Sequence, residues 1–379
     1  NKEFTFDLLD EFILKSRKLS SSVSKDVLNG KKPRGFDKLI ELIKSKNPDF
    51  IGISLTYNSQ IFYAKALIDA LDIPVILGGP ADYSKIMGKG TVLPSAEAMA
   101  EHLVTLGAIR KKNKFELLFD DFDKKHYFTK YIIYPLRTSY SCPYQRCTFC
   151  THHGNMPYKQ ISLDQIKQTI IRNNMKKVFL IDDDFPYNRL LEISKLFEEL
   201  NVQWWCQLRP LRKIGEILSK LKGLKGVAWG LESGCQRVLD KMEKGTNLKD
   251  IEKVLKVSKS LGIINTVYVM FGLPTETKDE FLETIEFLEN NSANIDIISP
   301  SVFGLQYGSK IMDDFAKYGI KGIEEIQRTY LSDRVSYEVS SGQSNEEVNK
   351  LKKKQIHRLY KINKLPRIIA HCKEQVLNL

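Results

Sequence analysis

Two rhythms of apolar positions share this chain. In residues 36–107, helical and strand-like stretches alternate: Phe36–Lys46 repeats apolar residues at helical spacing, and Phe50–Thr56 is a short buried-strand run ending in Ser-Leu-Thr. Gln60–Leu71 sets Ile61, Ala64, Ile68 and Leu71 on one helical face, Pro74–Leu77 runs into Gly78-Gly79, and Ser95–Leu106 is helical again. Strands alternating with helices predict a parallel sheet with ligands at its strand ends. The expectation for residues 1–110 is a small or incomplete Rossmann-like domain.

Residues 111–130 are polar, with charge runs at Lys111–Lys114 and Asp120–Lys125, and read as a connector. After them come six strand-like runs: Ile132–Arg137, Val178–Asp182, Gln203–Arg209, Gly226–Glu232, Asn265–Phe271 and Asp296–Phe303. Helical stretches separate most of them. Two carry capping-box signatures, Ser162 with Gln165 and Thr277 with Glu280, the second followed by Phe281, Leu282, Ile285 and Leu288 along one side. Six such units predict an α/β architecture, a partial (β/α)6 TIM-type barrel over 131–307, with active groups at the C-terminal ends of its strands. From about Gly308 the pattern stops. Residues 308–379 read as a C-terminal helical region, Lys-rich after Asn345 and broken near Pro366, that serves as lid or flank.

Composition narrows the class. With 379 residues, 42% hydrophobic and 27% charged, the chain can build two cored domains, which excludes disorder and collagen-like repeats. No run reaches the roughly 18 apolar residues of a membrane span, and no signal peptide is recognisable, so the expected location is cytoplasmic. The first residue is Asn1, so a native start and a first strand are expected to be missing. The formal charge of +12, from 58 basic against 46 acidic residues, is compatible with nucleic acid, an acidic peptide or a phosphorylated substrate, but equally with solvated basic helix faces.

Six cysteines are too few for a disulfide framework, and Cys142, Cys147 and Cys150 crowd into nine positions directly after the first barrel strand. Three thiolates can hold three irons of a [4Fe–4S] cluster and leave the fourth iron open to a small-molecule ligand. The same spacing suits a structural zinc site completed by His152 or His153. Cys142-Pro-Tyr-Gln-Arg-Cys147-Thr-Phe-Cys150 resembles the signature loop of radical S-adenosylmethionine (radical SAM) enzymes, with Phe149 in the aromatic position that lies against the adenine. Four residues separate Cys142 from Cys147 where three are usual in that family. Phe179-Leu-Ile-Asp-Asp-Asp-Phe185, Gly230-Leu-Glu-Ser-Gly234, Met242-x-Lys244-Gly245 and Met270-Phe-Gly-Leu-Pro-Thr-Glu276 resemble further radical SAM barrel segments, in order.

That resemblance implies a [4Fe–4S] cluster, SAM as cofactor, and a 5′-deoxyadenosyl radical that removes a substrate hydrogen. It assigns Asp182 and Asp183 to the SAM ammonium, although Asp before a helix is also a common cap. Gln207 and Arg209 share a strand side, so Arg209 suits the SAM carboxylate or, before Pro210, a plain surface place. Glu232 and Ser233 are matched to ribose contacts or to an ordinary tight strand end. Gly272, Leu273 and Pro274 are matched to the adenine edge or to a simple turn.

The nearest subgroup by resemblance carries a cobalamin-binding-type domain before the barrel, and Ser54-Leu55 and Gly78-Gly79 stand where that domain places small residues around the cobalamin tail. Its Asp-x-His-x-x-Gly loop is absent from this sequence, which disfavours cobalamin and methylation. The reaction expected first is therefore hydrogen abstraction from a peptide or small natural product, ending in epimerisation or another C–H modification, with Cys372 as hydrogen donor and a low-potential electron donor as partner. A cobalamin-dependent methyltransferase and a tRNA-modifying enzyme are the alternatives; no appended RNA-binding domain is recognisable.

Overall fold

The computed structural model describes residues 15, 26–27, 29–33, 35–56, 60–79, 90–93, 96–109, 117–120, 122, 129, 131–151, 157–306, 308–324 and 335–379. The charge run Lys111–Lys114, most of Asp120–Lys125, and His152 and His153 lie outside them. Contacts divide the chain into two units, one of Phe115–Glu325 and Arg334–Leu379, the other of Asp7–Lys114; the stretches 1–6 and 326–333 that complete them are not described.

The N-terminal unit runs α1 (Phe36–Ser45), β1 (Ile51–Ser54), α2 (Ile61–Ala70), β2 (Val75–Gly78), β3 (Gly90–Val92) and α3 (Ala96–Thr105). Its three strands form a parallel sheet in the order 1-2-3. The apolar face of α2 packs as its spacing predicts, with Ile61, Ala64 and Ile68 buried in a cluster with Leu55, Val75 and Leu77. The ends of β1 and β2 touch: Leu55 N–H donates to Gly78 O at 2.7 Å, and a Cβ on Gly79 (φ +109) would collide with the Leu55 carbonyl. Gly78 is different, because a Cβ there would meet only Leu93 O, at 4.0 Å.

The second unit begins with β4 (Tyr134–Leu136), β5 (Ser139–Tyr140) and β6 (Lys159–Gln160), then α4 (Leu163–Arg172), β7 (Lys177–Leu180), α5 (Tyr187–Glu199) and β8 (Gln203–Leu208). It continues through α6 (Arg212–Gly215), β9 (Leu224–Glu232), α7 (Gln236–Lys241), α8 (Leu248–Ser260), β10 (Ile264–Phe271), α9 (Lys278–Asn290) and β11 (Ile297–Val302). All six long-range strands are parallel, in the order β11-β10-β9-β8-β7-β4, an open barrel with two edges. Outward strand residues such as Val178, Trp204, Val227, Val267 and Ile298 meet Ile193, Phe197, Leu255, Phe281 and Ile285 of the helices in one core. Each such side chain contributes about 1.5–3 kcal/mol on burial. Thr277 and Glu280 form the expected capping box, and Ser162 accepts from Gln165 N–H.

After α10 (Lys310–Asp313) a hairpin forms, β12 (Ile320–Glu324) with β13 (Ser336–Val339), followed by α11 (Asn345–Ile362). The C-terminal region belongs to the barrel unit. Helix α11 packs on α9 and β11, tied by Arg358 to Glu289 (2.6 Å) and by Lys352 to Pro300 O (2.9 Å), and so covers the β11 edge. The chain then crosses the barrel at the N-terminal ends of its strands: Asn363 accepts from Ile298 N–H, a 3-10 turn over Lys373–Asn378 packs on β8 and β9, and Asn378 donates to Tyr131 O (3.2 Å). Thus the tail closes the base of the barrel rather than the mouth where the cysteine loop lies. Among the described residues, no helix is long and apolar enough to cross a membrane.

Candidate functional site

The cysteine loop leaves β5 through Ser141 (φ 64) and turns again at Gln145 (φ 50), two left-handed residues joined by Gln145 Nε2 to Ser141 Oγ at 2.8 Å. This fold turns the main-chain N–H groups of Gln145 and Tyr144 toward the Cys142 sulfur. The loop is anchored on the segment after α7. Tyr144 donates to Glu243 O (2.8 Å), while Thr148 donates through N–H to Met242 O (3.0 Å) and through Oγ1 to Lys241 O (3.1 Å). Gly245 (φ +68) is obligatory there, because a Cβ would strike the Tyr144 hydroxyl.

Burial pushes the Cys142 thiol up and the Cys147 thiol up to about 11; Lys244 and Arg209 oppose this at Cys147, while Cys150 and Cys142 reinforce it. The three sulfurs therefore share one field, next to two cations suited to holding thiolates. Among the described residues, no three His, Cys, Asp or Glu side chains converge on a point fit for one metal ion. His152 and His153, the residues that would complete a zinc site with these cysteines, lie outside the described residues.

Two buried ion pairs lie beside the loop. Arg209 Nε bonds Asp184 at 2.8 Å, its Nη1 donates to Lys244 O (3.3 Å), and its guanidinium stacks 3.6 Å from the Tyr144 ring centroid. Lys244 Nζ bonds Glu232 at 2.8 Å and stands 5.7 Å over the Phe149 ring. Burial alone would lower the Lys244 pKa, but Glu232, the Cys147 thiol and Asp184 outweigh it and raise the value. Glu232 reaches this position by a local distortion: the β9–β10 register shifts between Gly230 and Glu232, and Glu232 is left-handed (φ 66). Phe149 packs with Cys235, Met242 and Leu273 at the same end of the barrel.

Sequence reasoning missed Asp184 and Lys244 as site residues. Both stand inside motifs already quoted, and Asp184, like Asp182, is buried just past the end of β7. Only the fold reveals Lys244, twelve residues from Glu232 but bonded to it.

Several of the expected site residues have structural partners. The buried Asp182 carboxylate accepts from Thr138 N–H (2.9 Å), Thr138 Oγ1 (3.0 Å) and Ser139 Oγ (2.6 Å), and so ties the end of β7 to the strand leading to the cysteines. Burial nonetheless raises its pKa, against those hydrogen bonds. Asp183 is exposed. Gln207 donates to Asp182 O (3.1 Å). Ser233, fully buried, bonds Thr284 Oγ1 (3.0 Å) and accepts from Cys235 N–H (3.1 Å). A Cβ on Gly272 (φ +81) would lie 2.9 Å from Val348 of α11. Leu273 and Pro274 are buried behind it. Cys372 lies at the base of the barrel, where it heads the turn against Lys177 and Gly226, so it does not cover the mouth.

Residues 136–288 match the radical SAM superfamily model. Those residues form a radical SAM domain. The chain is 27% identical over 212 residues to the cytidylyl-2-hydroxyethylphosphonate methyltransferase of Streptomyces wedmorensis, covering 50% of this chain and 39% of that protein. It is 22% identical over 346 residues to the anaerobic magnesium-protoporphyrin IX monomethyl ester cyclase of Rubrivivax gelatinosus, covering 79% and 61%. The chain thus spans about two fifths to three fifths of these curated relatives.

Among solved structures, the cobalamin-dependent SAM radical enzyme OxsB, with aqua-cobalamin and SAM bound, superposes with a TM-score of 0.63 at 15% identity over 89% of this chain and 64% of its own. The methyltransferase TsrM of Kitasatospora setae, with cobalamin and a [4Fe–4S] cluster bound, gives 0.57 at 15% identity, covering 74% and 70%. These likenesses establish the fold, a radical SAM partial barrel similar to that of these enzymes, and with the family match they support an enzyme that uses a [4Fe–4S] cluster.

Proposed function

We propose that this chain is a radical SAM methyltransferase that works with cobalamin, and that its N-terminal unit is the cobalamin seat. What supports the reading above all is that the likeness to a cobalamin-dependent enzyme runs over 89% of the chain, well beyond the residues of the radical SAM match. The strand ends are compatible with it. Ser54 is exposed at the end of β1, and the missing Cβ of Gly78 leaves an open notch beside it, whereas Gly79 is explained by strand packing alone. This reverses the order of preference drawn from the missing histidine loop, and the placement of Cys372 at the base of the barrel is compatible with it.

When bound, a [4Fe–4S] cluster supplies the electron that divides SAM into methionine and a 5′-deoxyadenosyl radical, and cobalamin supplies a transferable methyl group. The residues' own tasks follow from their places. Cys142, Cys147 and Cys150 would hold three irons. Arg209 and Lys244 balance the thiolate charge, and Arg209, preset by Asp184 and Tyr144, presents its remaining donors to a carboxylate. Glu232 and Asp184 offer acceptors for an ammonium or hydroxyls, and Phe149 an apolar face for a base.

His102 would not serve as a cobalt ligand, since it stands inside a helix and not after an early strand. His102, in the last turn of α3, is the single histidine among the described residues of that unit. The test is anaerobic loading of the full chain with iron, sulfide and hydroxocobalamin. About one cobalamin should stay bound through gel filtration, equally in wild type and His102→Ala. Normal iron content and SAM cleavage with no retained cobalamin would overturn the reading.

A further inference from the structure

Below the ion pairs, the barrel interior holds polar groups that the site does not use. Trp205 and Gln207 on β8, Gly226, Ala228 and Gly230 on β9, and Thr266, Tyr268 and Met270 on β10 alternate with residues packed against the helices, so they face inward. The inward residues of β9 below Glu232, namely Gly226, Ala228 and Gly230, are all small. The floor is the 3-10 turn Lys373–Asn378, fixed by Lys177 Nζ donating to Leu377 O. Val376 and Trp205 close on one point, since a Cβ on Gly226 would lie 3.0 Å from the one and 2.9 Å from the other. Residues three apart eclipse in a 3-10 turn, so Lys373 shares the inward side of Val376. Its Nζ stands 4.9 Å over the Tyr268 ring.

This ammonium is half-buried and, among the described residues, has neither a hydrogen bond nor an ion pair; burial lowers its pKa. Glu374 acts on it and on Tyr268 only through space, its carboxylate accepting from Gln375 Nε2 at 3.3 Å. Two neutral groups inside the barrel are orphaned as well: Trp205 Nε1 and Thr266 Oγ1 are buried with no partner. By contrast, Trp204 Nε1 donates to Lys222 O (2.7 Å) and Trp229 Nε1 to Asn265 Oδ1 (2.8 Å). Leaving buried donors unpaired costs about 1–3 kcal/mol each, a cost that a ligand acceptor removes.

We propose that the C-terminal turn is the floor of the substrate cavity and that Lys373 receives an oxyanion of the substrate, a carboxylate or a phosphate, with Trp205 and Thr266 as neutral donors around it. The assignment of this cavity to the substrate rests on the radical SAM reading above; the anion site itself does not.

Trp205 makes it testable without cluster, cobalamin or substrate. The full chain is labelled with 15N-tryptophan, the three indole N–H resonances are assigned with Trp205→Phe, and sodium acetate, inorganic phosphate and sodium chloride are titrated at matched ionic strength. Acetate or phosphate should move the Trp205 resonance saturably and leave Trp204 and Trp229 still; the tighter probe names the group. Lys373→Gln should weaken that binding at least tenfold, and Lys373→Arg should largely restore it. No response beyond chloride, or an unchanged response in Lys373→Gln, would overturn the proposal. Should Lys373→Gln disturb the Trp204 and Trp229 resonances, near-isosteric Thr266→Val decides: weaker binding supports the site and unchanged binding overturns it. SAM cleavage without an anion response would defeat the floor alone, and an anion response without SAM cleavage would defeat the enzymatic reading alone.

Discussion

Glu276 offers a sharp test of how the turn after β10 is built. Its side chain is 1% exposed; Oε2 accepts from Gly272 N–H, and Oε1 is buried without a partner. Burial, only partly opposed by that hydrogen bond, pushes its pKa from 4.5 up to about 7. Between those values the unfolded chain loses its proton while the folded chain keeps it. The folded state then binds more protons, so raising the pH destabilises it. At about 1.4 kcal/mol per pH unit, the full cost above pH 7 is about 3 kcal/mol, and below about pH 4.5 it vanishes. Glu276→Gln keeps an acceptor for Gly272 and cannot ionise. Urea unfolding of wild type and variant, at equal cluster content, should therefore show the variant gaining about 3 kcal/mol relative to wild type between pH 4.5 and pH 8. A stability difference that is the same at both pH values would mean that Glu276 is already ionised in the folded protein, and the reasoning would fail.

Three further outcomes follow from the site's packing. Gly245→Ala combines a left-handed alanine with displacement of Tyr144, and should cost about 2–3 kcal/mol in urea unfolding; a change under about 0.5 kcal/mol would contradict the close approach. Lys244→Met strands the Glu232 carboxylate and should cost about 3–5 kcal/mol, most of it recovered in the double variant with Glu232→Gln; a single variant as stable as the double would refute the pairing. Asp182→Ala removes the acceptor of three donors and should lower stability by about 3 kcal/mol or more. Unchanged stability with SAM affinity lost, measured by calorimetry, would return Asp182 to the SAM ammonium.

The barrel was legible because each strand is a compact apolar run between amphipathic helices, and Val178, Val227 and Val267 occupy the core their pattern implies. The hairpin β12–β13 was not legible: its strands lie well apart in sequence and lack a strong alternating pattern, so pairing rather than local preference makes them strands. The side of the barrel covered by the C-terminal tail depends on Asn363, Lys177 and Asn378, single polar contacts with no periodic signal. Within the site, spacing alone brought out the cysteines. Motif position alone could not separate Asp182, saturated by Thr138 and Ser139, from Asp184, which reaches Arg209.

The central claim is that Cys142, Cys147 and Cys150 hold a [4Fe–4S] cluster that cleaves SAM. Its most direct measurement is 5′-deoxyadenosine formed from SAM and a low-potential reductant by the anaerobically reconstituted chain, compared with Cys147→Ala. The account predicts product from the wild type, with about four irons and four sulfides per chain, and none from the variant. Product from an iron-free Cys147→Ala protein, or none from a wild type with a full cluster, would contradict it.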